Sequence, residues 1–149
     1  MGKVSFVNAD VKFRLTNKKE TMLLINRLFK HEGEKLKSLN YIFCSDQYLL
    51  NINREFLKHD FYTDVITFNL SEVVGIVIGE VYISTERVED NAGKLKVSNL
   101  IELRRVIIHG ALHLCGYKDK KKSEITLMRE KENYFLRLFE DDFTFHKKM

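Results

Sequence analysis

The sequence predicts an α+β fold: one domain over residues 1–149, with a small mixed β-sheet and helices packed on it. Three observations carry this expectation. Runs rich in β-branched and aromatic residues, each of strand length, occur at Val4–Val7, Leu39–Cys44, Val65–Leu70 and Gly75–Ser84. Segments with apolar residues at helical spacing separate the early runs, and three more such segments follow in a row. The 149 residues are 44% hydrophobic and 31% charged, with no proline and 7 glycines, which fills one core and leaves no linker or low-complexity stretch.

Taken in order, Val4–Val7 is a short apolar run bounded by Asn8 and Asp10. Thr16 or Asn17 can cap a helix expected to reach about Leu36. Glu20 lies three residues after Asn17, at capping-box spacing. Leu24 with Leu28, and Ile25 with Phe29, form its apolar stripe. Leu39–Cys44 is the second strand. Ser45 or Asp46 caps a helix through about Leu57, with Leu49, Ile52 and Phe56 on one side. Val65–Leu70 and Gly75–Ser84 form a hairpin around Ser71–Gly75. The last three helices are expected over Thr85–Leu95, Ser98–Cys115 and Ser123–Glu140. Ile125, Met128, Glu132, Phe135 and Phe139 recur at helical spacing in the last of them.

Charge and cysteine content narrow the function classes. Lysine and arginine exceed aspartate and glutamate by 25 to 21, a weak pointer to an anionic partner. The excess is local. Lys12–Lys37 holds eight basic residues against three acidic ones, and Lys118, Lys120, Lys121 and Lys122 surround Asp119. Solvated helix faces and loops explain such clusters equally well unless they flank a reactive centre. Two cysteines make no disulfide framework, which suits a reducing cytosol. No apolar run approaches the 18 residues of a membrane span, and the N-terminus lacks the apolar core of a signal peptide.

The chemistry sits in Arg105–Asp119. His109 and His113 are four residues apart in a helical pattern, so both imidazoles share one face about 5–6 Å apart. Gly116 stands where a helix ends and the chain folds back. Asp119 can then approach the same point from the other side. The H-x3-H-x5-D spacing gives three ligands with an open position, as in catalytic rather than structural metal sites. Hydrogen-bonded core histidines at the same spacing are the alternative. Gly110 occupies the place of the catalytic glutamate of zinc proteases, which argues against peptide hydrolysis. Cys115 points to roughly the opposite face from His113.

At this point the sequence resembles a known family. His-Gly-Ala-Leu-His-Leu-Cys-Gly-Tyr at 109–117 is similar to the HGxLHLxGYDH motif of the YbeY family of bacterial metallo-endoribonucleases. Asn53–Asp60 and Tyr62–Phe68 resemble the family's N-x-x-[YF]-R-x-x-D-x-x-T-D-V-L-S-F segment, and Gly79–Ser84 resembles its G-D-I-x-I-S strand. Ala92, Glu124, Met128 and Glu130 or Glu132 follow in place. The matches run in order over about residues 40–135.

The resemblance implies a cytoplasmic, single-strand-specific endoribonuclease. Its implied role is ribosomal RNA maturation at the 3′ end of 16S rRNA and ribosome quality control, with ribosomal RNA and the ribosome as partners. The implied metal ligands are His109, His113 and Asp119, where Asp119 replaces the family's frequent third histidine. Zn2+, one per chain, is the expected ion; the carboxylate keeps another divalent metal open. Leu57 replaces a frequent arginine, so the RNA-facing charge is expected from Arg54, Lys58, Lys118, Lys120, Lys121 and Lys122. Phe56, Phe61, Tyr62 and Tyr117 are aromatic candidates for base stacking. The proton-transfer group is open among Glu80, Asp64 and Glu124. A hydrolase of small molecules, and a non-catalytic ribosome-associated factor, remain alternatives, and the oligomeric state is left open.

Overall fold

The computed structural model describes residues 1–148, with side chains over residues 1–139. The chain runs β1 (Lys3–Asn8), α1 (Lys18–His31), β2 (Lys35–Cys44), α2 (Asp46–Phe56), β3 (Val65–Asn69), β4 (Ile76–Ser84), α3 (Thr85–Leu95), α4 (Asn99–Leu114) and α5 (Lys122–Lys148). The sheet order is β1-β2-β4-β3. β2 pairs in parallel with both β1 and β4, and β3 returns antiparallel to β4 as the expected hairpin. The architecture is therefore the α+β arrangement the sequence predicts, with a mixed sheet.

Serine caps set three of the helix starts. Ser45, Ser84 and Ser98 each accept, through the side chain, the N–H of the residue three further on: Tyr48, Arg87 and Ile101. Asn17 behaves differently. It takes the left-handed conformation and its side chain makes no cap; its carbonyl accepts from the Thr21 N–H and hydroxyl instead. The first helix also stops earlier than its stripe suggests. It ends at His31 rather than near Leu36, because Gly33 turns left-handed at φ 73° and the Glu34 N–H reaches back to Phe29 O. Leu36 is buried from β2, not from the helix.

On one face of the sheet α1, α4 and α5 close the main core around Tyr41, Phe29, Phe43 and Phe135, all buried. The Tyr41 hydroxyl, buried here, donates to Ile107 O of α4 at 2.8 Å. On the other face Leu49 of α2 packs with Cys44 and Ile66 of the sheet. Its buried side is Leu49, Leu50 and Asn53; Phe56, expected on that side, is 61% exposed. Asn53 has a polar task there: its amide donates to Phe61 O at 2.9 Å and steadies the loop before β3. Ile125 likewise leaves its expected stripe and is exposed, whereas Met128, Phe135 and Phe139 are buried.

α4 lies close on β4 at Gly110. A Cβ placed there would lie 2.7 Å from Val81 Cγ1, inside the core. Gly110→Ala is therefore expected to push α4 off the sheet and to cost about 1–3 kcal/mol, measurable by chemical denaturation.

Candidate metal centre

His109 and His113 stand one turn apart near the C-terminal end of α4. Cys115 caps the helix and Gly116, at φ 99°, reverses the chain as its sequence position predicts. The turn brings Asp119 back over the two imidazoles. His109 Nε2 and His113 Nε2 are 2.9 Å apart, and Asp119 Oδ2 lies 3.2 Å from each. Among the described residues these three form a group able to hold a metal ion.

The hydrogen bonds behind the triangle decide its chemistry. His109 Nδ1 faces Glu132 Oε2 at 2.6 Å, and His113 Nδ1 faces Tyr117 O at 2.9 Å. Both partners are acceptors, so in each neutral ring Nδ1 carries the proton. Both Nε2 lone pairs then point at one spot, which a carboxylate oxygen also faces. Three acceptors converge with no donor between them, an arrangement that a cation stabilises. The edges of 2.9–3.2 Å approach the about 3.3–3.4 Å expected between donors bonded at 2.0–2.1 Å around a tetrahedral ion. The donor set thus fits a small divalent metal.

Glu132 is a residue that sequence reasoning did not assign to the site. It is 2% exposed, on α5. Its second oxygen takes Arg105 at 3.4 Å and Arg129 at 3.5 Å, and Arg105 also pairs with the buried Glu102. Such carboxylate–imidazole pairs fix the tautomer and raise the basicity of the ligand. Burial pulls the His109 pKa down, but the Glu132 hydrogen bond and the charges of Glu132, Asp64 and Asp119 outweigh it, and the net shift is upward. The surroundings of this ring favour positive charge. Cys115 takes no part: burial, reinforced by Glu32 and Glu34, pushes its thiol up to about 12.

The three carboxylates considered for proton transfer fall in different places. Asp64, half-buried at the start of β3, is the one whose charge acts on His109. Glu80 alternates with Gly79 and Val81, which face α4, and so points to the α2 side with Tyr82. Glu124 accepts the Lys121 N–H at 2.9 Å and caps the start of α5. Of the basic residues, Lys118, Lys120, Lys121 and Lys122 are exposed on the segment carrying Asp119. Lys58 is exposed in a left-handed conformation, and Arg54, also exposed, pairs with Asp60. Phe56, Phe61 and Tyr62 are exposed, whereas Tyr117 is half-buried.

Fold and donor set together define a class: small α+β proteins with two imidazoles and a carboxylate grouped at a helix end, able to hold one ion. Comparison with known proteins narrows the class. The family described as Endoribonuclease YbeY matches residues 5–140, further toward the N-terminus than the sequence motifs extend. The Endoribonuclease YbeY of Cytophaga hutchinsonii is 47% identical over 135 residues, covering 91% of this chain and 94% of that protein. That of Flavobacterium psychrophilum is 43% identical over 136 residues, covering 91% and 96%. A Thermotoga maritima protein solved in solution superposes with a TM-score of 0.62 at 26% identity, covering 96% of this chain and 93% of its own. This chain belongs to the YbeY endoribonuclease family.

Proposed function

We infer that this protein is a metal-dependent endoribonuclease that cuts single-stranded RNA in ribosomal RNA processing, at the 3′ end of 16S rRNA. It acts in the cytoplasm, with the ribosome as its working partner and a part in ribosome quality control. The observation that carries the reading is the convergence of His109 Nε2, His113 Nε2 and Asp119 Oδ2 within 3.2 Å of one another.

His109, His113 and Asp119 are the residues that hold the ion, and Zn2+ is the ion that two imidazoles and one carboxylate in a near-tetrahedral face suit best. When bound, it supplies a Lewis acid that polarises a phosphoryl oxygen and lowers the pKa of water. Glu132 and the Tyr117 carbonyl orient the two rings. Asp64, the one of the three candidate carboxylates whose charge acts on His109, takes up the proton released as water attacks the phosphodiester. Peptide hydrolysis finds no support: Gly110 is buried against Val81, so the position of a protease's glutamate faces the sheet.

Substrate is held by charge at the rim. Lys118, Lys120, Lys121 and Lys122 extend into solvent beside Asp119, and Arg54 and Lys58 supply the positive charge that Leu57 lacks. Exposed Phe56, Phe61 and Tyr62 offer faces for unpaired bases, which a duplex would keep stacked. Replacing Lys120, Lys121 and Lys122 with glutamine is expected to weaken single-stranded RNA binding and flatten its salt dependence. Each lost phosphate contact lowers the log–log slope by about 0.7. Binding titrations from low to moderate salt measure this, and an unchanged slope would move the rim to Lys12–Lys37. Cleavage of a labelled single strand, with a matched duplex left intact, tests the substrate class itself.

A further inference from the structure

His113 is held by a backbone carbonyl rather than a carboxylate, and what holds that carbonyl comes from far away in sequence. Tyr117 belongs to the turn after α4. Its N–H donates to Leu112 O at 3.1 Å, and its carbonyl accepts from His113 Nδ1 at 2.9 Å. Its phenol donates to Glu32 Oε1 at 2.5 Å, across 85 residues of sequence. Glu32 caps the C-terminal end of α1. Its other oxygen accepts from Lys131 Nζ of α5 at 3.1 Å and lies 3.1 Å from His31 Nδ1. The Lys131 ammonium also sits 5.6 Å from the centre of the Tyr117 ring. The Glu32 side chain is 9% exposed, so these charge-assisted bonds are little diluted by water.

We propose that Glu32 is a positioning residue for the metal centre. Through the Tyr117 phenol it fixes the turn whose carbonyl aims His113 and whose next residues present Asp119. The turn begins at Gly116, a residue with no side chain to anchor it and a backbone free to rotate. From its own helix, the Tyr117 N–H is held by Leu112 O, and the carbonyl meets the imidazole it is to aim. The phenol adds a tie to two further elements, α1 and α5, so that the carbonyl cannot swing away from the imidazole. The proposal rests on the metal-site reading above.

The test is competition for Zn2+ against a chromophoric chelator, run on the full chain and on Glu32→Ala, Glu32→Gln, Tyr117→Phe and the Glu32→Ala, Tyr117→Phe double variant. His113→Ala serves as the control for the donor set. Glu32→Ala and Tyr117→Phe are each expected to weaken Zn2+ binding about 10-fold, the low end for residues behind a ligand. The double variant is expected to match either single one within about twofold, because both act through one bond. Glu32→Gln still accepts from the phenol and is expected to stay within about threefold of the parent. Parental affinity in both singles, or losses that multiply to about 100-fold in the double, would overturn the proposal. So would a melting temperature lowered in the metal-free variants with affinity unchanged, the mark of a merely structural contact. Parental affinity in His113→Ala would instead strike the donor set itself, and this inference with it.

Discussion

Replacing His113 with alanine is expected to abolish stoichiometric metal binding and RNA cleavage together. Zinc sites in small domains are worth about 10–16 kcal/mol, so one of three protein ligands carries about 3–5 kcal/mol. That corresponds to a loss of about 10²–10⁴-fold in affinity. The ring is half-buried at the end of α4, and its removal opens no core cavity. Circular dichroism of the metal-free variant should therefore match the parent. Elemental analysis after dialysis against trace Zn2+ reads the loss directly. Full metal content in this variant would show that the ligands lie elsewhere.

The second large effect is expected at Glu132, and it combines binding with stability. Glu132→Ala removes the acceptor at His109 Nδ1, 2.6 Å away, and frees the imidazole to change tautomer. Metal affinity is expected to fall about 10–100-fold. The same change leaves Arg105 with Glu102 alone, in a pair where Glu102 is 1% exposed. Breaking buried pairs costs about 3–5 kcal/mol when a charge is left uncompensated, and Arg105 keeps one partner, so about 2–3 kcal/mol is expected here. Urea titration measures that loss. Glu132→Gln preserves the volume and an acceptor oxygen. It is expected to recover most of the stability while metal affinity stays about 10-fold weaker, which separates the two roles.

All three members of the candidate donor set could be read in the sequence because it is local. His109, Gly116 and Asp119 lie within eleven consecutive residues, and helix geometry alone places two imidazoles on one face. The residues behind the ligands were not legible. Glu132 falls 23 residues after His109 and looks like a polar interruption in the apolar stripe of α5. A glutamate at a core position, and its place in the family resemblance as one of Glu130 or Glu132, are the signals it leaves, and neither names a role. The Tyr117 carbonyl leaves none, since every residue has one. Helix starts were readable where serine supplies the cap, at Ser45, Ser84 and Ser98. The end of α1 was not, because Leu36 prolongs the apolar stripe although Gly33 already ends the helix. Phe56 was misplaced for a similar reason: period alone does not tell which face the sheet covers, and Leu50 and Asn53 took the buried side. The parallel pairing of β1, β2 and β4 depends on helical crossovers that no local motif encodes.

Cleavage of a labelled single-stranded RNA by chelator-stripped protein, titrated with Zn2+, tests the central claim most directly. Activity is expected to be absent at the start, to rise with added ion and to level off at one ion per chain. His109→Ala, His113→Ala and Asp119→Ala are expected to stay inactive across the same titration. Full cleavage by the stripped protein, or by any of the three variants, would contradict the assignment of this centre to the cutting of RNA.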